Sequence, residues 1–145
     1  MQAQTNPSAA ARIGYTIFWV RDVKETARFF EAAFGFARKV EMQTALTPWI
    51  ELDAGGGLSL AFAAFAEADV LFPAGYRAHA AEEAPVASAI TVVGDDVEAL
   101  FSRAVAAGAA TLQQPRKEPW GQTIARVRDP NGIVVSIASP IRSSH

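Results

Sequence analysis

The sequence contains no cysteine and only two histidines, His79 and His145. The absence of cysteine excludes disulfides, zinc-thiolate sites, iron–sulfur ligation and thiol nucleophiles. Neither sign of charge dominates, because 13 Lys and Arg residues oppose 15 Asp and Glu residues, and no basic cluster offers a surface for nucleic-acid phosphates. The longest nearly apolar run, Leu58 to Ala66, is far shorter than the ~20 residues of a membrane-spanning helix. We therefore expect neither nucleic acid nor membrane as a partner.

The composition suits one folded domain. Half of the 145 residues are hydrophobic and the net charge is only −2, so a core can form. We expect a single domain over residues 1–145. Because Met1 to Arg12 lacks both the basic start and the apolar run of a signal peptide, we also expect a cytoplasmic location.

One structural unit occurs twice along the chain. The apolar run "IGYTIFWV" over residues 13–20 predicts a buried strand, and "SAITVV" over residues 88–93 predicts a second. A helix is expected after each strand. The first begins at Asp22, which resembles a capping box with Glu25, and ends at Gly35. The second begins at Asp95-Asp96 and ends at Gly108.

Three further strands are predicted after each helix, over residues 36–42, 48–53 and 58–63 and over residues 110–114, 122–128 and 133–138. The sequence "DPNG" (129–132) suits a type I turn followed by a left-handed residue. The sequence therefore predicts an α+β fold of two βαβββ modules, over residues 13–64 and 86–140. The connecting segment, residues 65–85, has room for a short helix, and its His79 is expected to be a solvated loop residue.

Three segments carry a family resemblance: "YTIFWVRDV", "DDVEALFSRAVAAGA" and "PWGQTIARVRDPNGIVVSIASP". Together with the paired modules, they resemble the vicinal oxygen chelate superfamily, the glyoxalase/bleomycin resistance protein/dioxygenase group. The resemblance implies that the mixed sheet of each module curls into a cup, with helices outside and a small molecule bound inside. The superfamily includes lyases, epimerases, dioxygenases, transferases and drug-binding proteins, so the function has to be argued from the site.

Metal-dependent members of the superfamily that the chain resembles bind a divalent cation with four His, Glu or Gln side chains that face the cup. The corresponding positions here are Tyr15, Ala61, Ala89 and Ser136. None is a usual ligand, because alanine has no donor atom and a neutral hydroxyl binds metal poorly. We therefore expect no metal and no cofactor.

Strand alternation places aromatic and polar side chains on the cup faces. The candidate ligand-binding residues are Tyr15, Trp19, Trp49, Glu51, Trp120, Gln122 and Arg126. Several of them have another interpretation. Glu51 and Arg126 could form a structural ion pair, and Trp19 and Trp49 could fill a core or a subunit interface. The role of Trp120 and Gln122 could be limited to shaping a loop. Glu51 is also the candidate general base of a catalytic site.

An aromatic cup without chelating side chains favours a protein that binds a small aromatic or hydrophobic molecule, as drug-sequestering proteins of antibiotic resistance do. Two alternatives remain open. One is a metal-dependent lyase, isomerase or dioxygenase whose ligands have changed, and the other is a metal-free enzyme that uses Glu51. Members of the resembled superfamily commonly complete their clefts by pairing, so a homodimer is expected.

Overall fold

The computed structural model describes residues 9–141. The elements are β1 (Tyr15–Val20), α1 (Val23–Phe34), β2 (Ala37–Gln43), β3 (Pro48–Asp53), β4 (Ser59–Ala64), α2 (Phe65–Leu71), β5 (Ile90–Val93), α3 (Val97–Ala106), β6 (Ala110–Lys117), β7 (Thr123–Arg128) and β8 (Val134–Ala138). This order confirms the predicted pair of βαβββ modules, with α2 in the connecting segment. The largest departure from the predicted bounds is at β6, which is three residues longer at its C-terminal end than the predicted strand.

Each module forms one open four-stranded mixed sheet. The strand orders are β1-β4-β3-β2 and β5-β8-β7-β6. In each sheet the first strand pairs parallel with the last, and the other neighbours are antiparallel. The parallel pairs require a long crossover, and the helix that follows the first strand begins it.

A single apolar cluster lies on the helix side of both sheets. Phe30 of α1 stacks on Phe62 of β4, with ring centroids 5.4 Å apart, and Val127 and Ile137 belong to the same cluster from the second sheet. Helices α1 and α3 pack against each other, whereas within residues 9–141 no Cα atom in a strand of one sheet lies within 8 Å of one in a strand of the other. The helices therefore join the two modules.

The start of α1 is bonded to the second module. Asp22 Oδ1 accepts from the Glu25 backbone N–H at 2.9 Å, which is one half of the predicted capping box. The other half of a capping box is a bond from the Asp22 backbone N–H to the Glu25 side chain. Here the Asp22 N–H donates instead to Asn131 Oδ1 at 3.0 Å, and Asn131 Nδ2 donates to Glu25 Oε1 at 2.8 Å. The "DPNG" turn thus caps a helix of the other module.

The same turn fixes part of the connecting segment. A Cβ added to Gly132, whose φ is +98°, would lie 2.7 Å from backbone atoms of Ala80, so no side chain fits there. Arg128 donates through its guanidinium to the carbonyls of Ala80, Ala81 and Glu83. These contacts hold residues 80–83 against the second module. No helix among the described residues is long and apolar enough to cross a membrane.

We predict that Asn131→Ala lowers the free energy of unfolding by about 2 kcal/mol, because it removes two side-chain hydrogen bonds at a buried position. Urea denaturation measures the change. Glu25→Gln is the matched control: it keeps an acceptor for Asn131 and should cost less than about 1 kcal/mol. Equal stability of Asn131→Ala and the unsubstituted protein would contradict the prediction.

Asp129 makes the stability depend on pH. Burial raises its pKa from 3.8 to about 6, although the backbone N–H groups of Asn131, Gly132 and Ile133 act in the opposite direction. With a folded-state pKa above the unfolded value, the carboxyl's contribution to stability is fully present below pH ~4 and is lost as the pH rises through 6.

Asp129→Asn should remove this loss while keeping an acceptor for the turn. We therefore expect the variant to gain about 2 kcal/mol relative to the unsubstituted protein between pH 4 and pH 7. Urea denaturation of both proteins across that range measures the difference. A difference that does not change with pH would contradict the raised pKa of Asp129.

Candidate functional site

Trp19 and Trp49 lie on the same face of the first sheet. Ile50 and Leu52 are completely buried in the core, so Trp49 and Glu51 face away from the helices, as strand alternation predicts. Ala63 of β4 pairs with Trp19 of β1 on one side and with Trp49 of β3 on the other. Two strand spacings of ~4.8 Å place their backbones roughly 10 Å apart across a small residue.

Tyr15, Trp49 and Glu51 form a contact cluster on this face. The rings of Tyr15 and Trp49 meet edge to face at a centroid distance of 6.0 Å. Trp49 Nε1 donates to Glu51 Oε2 at 3.0 Å. Ala61, the register neighbour of Glu51, is completely buried. Three of the predicted ligand-binding residues are thus together, and each is close to another member of the set.

Arg126 lies on the second sheet and contacts different residues. Its Nη1 donates to Gln113 Oε1 at 2.9 Å. In the chain from residue 9 to residue 141, no ion pair joins Arg126 to Glu51. The structural ion pair considered from the sequence is therefore absent, because Glu51 and Arg126 each bond to a residue of their own sheet.

Trp120 and Gln122 shape the loop before β7. The tryptophan is 63% exposed, and its Nε1 donates to Gln122 Oε1 at 2.7 Å. Gln122 in turn donates to the Ser139 carbonyl at 2.8 Å. These bonds fix the loop beside a surface cavity of about 160 Å³, away from the first sheet.

The four positions that would hold a metal do not fit one. Ala61 and Ala89 offer no donor, Ser136 offers a neutral hydroxyl, and Tyr15 is half exposed with its ring against Trp49. Over the described part of the chain, no group of three or more His, Cys, Asp or Glu side chains could hold a metal ion. The donor set is therefore unsuited to a divalent cation.

A cavity of about 300 Å³ lies between β1, α2 and the connecting segment. Its lining residues are Ile17, Phe18, Trp19, Ala68, Phe72, Tyr76, Arg77, Ala78, His79 and Ser88. The Trp19 and Phe72 rings are perpendicular at 5.4 Å, and Phe72 contacts Tyr76 at 6.1 Å. Trp19 is the only one of the seven predicted ligand-binding residues that lines this cavity.

Two carboxylates of α2 hold the aromatic walls in place. Trp19 Nε1 donates to Glu67 Oε1 at 3.1 Å, and the Tyr76 hydroxyl donates to Asp69 Oδ1 at 2.6 Å. The bond to Asp69 raises the pKa of the Tyr76 phenol. The Trp19 Nε1–H and the Tyr76 hydroxyl are therefore both hydrogen-bonded within the protein, and the faces of the two rings line the cavity.

His79 is not the solvated loop residue that the sequence predicted. Burial, followed by the charge of Arg128, lowers its pKa, so the imidazole is neutral at pH 7. Its ring lies 5.8 Å from that of Phe18, and its Nδ1 is buried without a hydrogen-bond partner. No local pattern marks this residue, because its position depends on the bonds from Arg128 to residues 80–83.

Comparison with known proteins identifies the family. The sequence pattern of the Glyoxalase/Bleomycin resistance protein/Dioxygenase superfamily matches residues 12–137. The chain belongs to this superfamily. No curated protein matches it significantly.

Solved structures of the superfamily share the fold. A family enzyme from Burkholderia phytofirmans PsJN is 23% identical, with a TM-score of 0.72 over 89% of this chain and 98% of that one. TnmS3, an antibiotic binding protein from Streptomyces sp. CB03234, is 21% identical, with a TM-score of 0.67 over 91% and 98%. TioX from Micromonospora sp. ML1 is 20% identical, with a TM-score of 0.63 over 89% and 98%. At these identities the likeness establishes the fold alone.

We predict that divalent metals do not stabilise the protein, because the superfamily's metal positions lack a competent donor set. Thermal unfolding with Zn²⁺, Mn²⁺ or Ni²⁺, and after chelation, should give Tm values within about 1 °C of each other. Elemental analysis of untagged protein should find no stoichiometric metal. A saturable rise in Tm that is lost in Tyr15→Phe would contradict the prediction.

Proposed function

We propose that the protein binds and sequesters a small aromatic or hydrophobic molecule without chemically changing it. The observation that carries this proposal is the cavity of about 300 Å³ whose walls include the rings of Trp19, Phe72 and Tyr76. Ligand sites in proteins are concave and mostly apolar, with a few oriented polar groups, and this cavity has that composition. The antibiotic-binding role of the structural neighbour TnmS3 supports the same class of function.

The size of the cavity limits the ligand and its affinity. It is at the lower end of the ~300–1,000 Å³ range of ligand pockets, so two fused rings are a reasonable occupant. Burying roughly 300 Å² of apolar ligand surface contributes about 7 kcal/mol before association costs. We therefore expect micromolar dissociation constants.

The cluster of Tyr15, Trp49 and Glu51 provides an extension of the site for larger ligands. A molecule that passes beyond Trp19 across Ala63 would reach the Trp49 ring, since the two tryptophans flank that alanine. Glu51 would then contact a donor group of the ligand.

Trp19→Ala should weaken binding of a naphthalene-sized probe at least tenfold, because it removes one aromatic wall of the cavity. Isothermal titration calorimetry measures the dissociation constant, and chromatography should recover the probe unchanged. Trp120→Ala is the matched control, since that ring is exposed and outside the cavity, and it should change affinity less than twofold. Trp49→Ala should have an intermediate effect that grows with ligand length. Unchanged affinity in folded Trp19→Ala would place the site elsewhere.

The protein is further proposed to form a homodimer. Tyr15, Met42, Val93 and Leu112 of the two sheets are each at least half exposed. A second copy could cover these side chains and bring the second sheet of one chain to the first sheet of the other.

Sedimentation velocity at tens of micromolar should therefore show a dimer. Val93→Glu, which adds a charge to an exposed apolar side chain of β5, should shift the protein towards the monomer, whereas Glu98→Gln on the exposed side of α3 should not. A monomer under these conditions would contradict the dimer.

A further inference from the structure

Few polar groups of the cavity lack a hydrogen-bond partner within the protein. Glu67 and Asp69 accept from Trp19 and Tyr76 and are not among the lining residues. The polar lining groups that remain are the Arg77 guanidinium, the His79 imidazole and the Ser88 hydroxyl. All three are able to donate hydrogen bonds, and no carboxylate lines this cavity.

Arg77 supplies the positive charge among the residues that line the cavity. The guanidinium has no hydrogen bond or ion pair to any residue from 9 to 141. The residue is exposed and lines the cavity. It also borders a second surface cavity that Glu83 lines, and the two residues form no ion pair. His79 is neutral at pH 7, because burial lowers its pKa.

We propose that the ligand is an aromatic anion, with a carboxylate or phenolate that Arg77 binds while its rings lie against Trp19 and Phe72. This inference rests on the proposed function and adds the chemical class of the ligand. A guanidinium presents a planar fork of donors that matches a carboxylate, and such charge-assisted bonds are stronger than neutral ones. A cationic ligand would be repelled by Arg77 at the mouth of the cavity, and no carboxylate in the lining would bind it.

Three probes with the same ring system test the proposal: 2-naphthoate, 2-naphthalenemethanol and 2-naphthylmethylammonium. Calorimetric titration of the unsubstituted protein at pH 7 should give a dissociation constant for the naphthoate about tenfold below that of the alcohol, with the ammonium weakest. Raising the salt concentration should reduce the preference for the naphthoate, because the contact is at the cavity mouth.

Arg77→Gln should remove the preference, so that the naphthoate and the alcohol bind equally, while affinity for the alcohol stays within twofold. Arg116→Gln is the matched control: it deletes the same charge at an exposed arginine that pairs with Glu118 outside the cavity, and it should keep the tenfold preference. Equal binding of all three probes to the unsubstituted protein, or a preference that survives Arg77→Gln, would overturn the anion site. Neither result would contradict binding of an aromatic molecule in the cavity. Failure of all three probes to bind would overturn the proposed function itself.

Discussion

Two hydrogen bonds from the side chain of Asn131 hold the first module to the last hairpin. They fix the N-terminus of α1, and the packing of α1 against α3 then sets how the two sheets are placed. The turn that presents Asn131 depends on Asp129, whose Oδ1 accepts from the backbone of Ile133 at 2.7 Å. The neighbouring Arg128 holds residues 80–83, so the contacts that join the modules also support one side of the cavity.

The cavity belongs to the part of the chain that is not repeated. Both modules have the strand order and helix placement of the superfamily, and α2 and the connecting segment lie between them. Phe72, Tyr76, Arg77 and His79 all come from that segment, and β1 contributes Trp19. The duplicated framework thus supports the cavity, while the segment between its halves contributes most of the side chains that line it.

Local sequence pattern predicted the framework well, because each signal acts over a few residues. The bounds of β3 match the prediction, since the buried Ile50 and Leu52 alternate with less buried neighbours, and Asp22 and Asp96 cap the two helices as expected. Of the seven ligand-binding residues expected from the sequence, Trp19 alone lines the cavity between β1, α2 and the connecting segment. Strand alternation gives the face of a side chain but not how two modules pack, so it does not decide whether Glu51 and Arg126 meet. The environment of His79 depends on Arg128, 49 positions away, and no local pattern reports it.

The bond between Asp22 and Asn131 joins residues 109 positions apart, which has a consequence for the order of folding. Closing such a long loop costs more conformational entropy than forming the strand pairs within either module, so the modules can form before they dock. Residues 80–83 acquire their final support only when the last hairpin is complete. The walls of the cavity are therefore completed late in folding, after the two modules have docked.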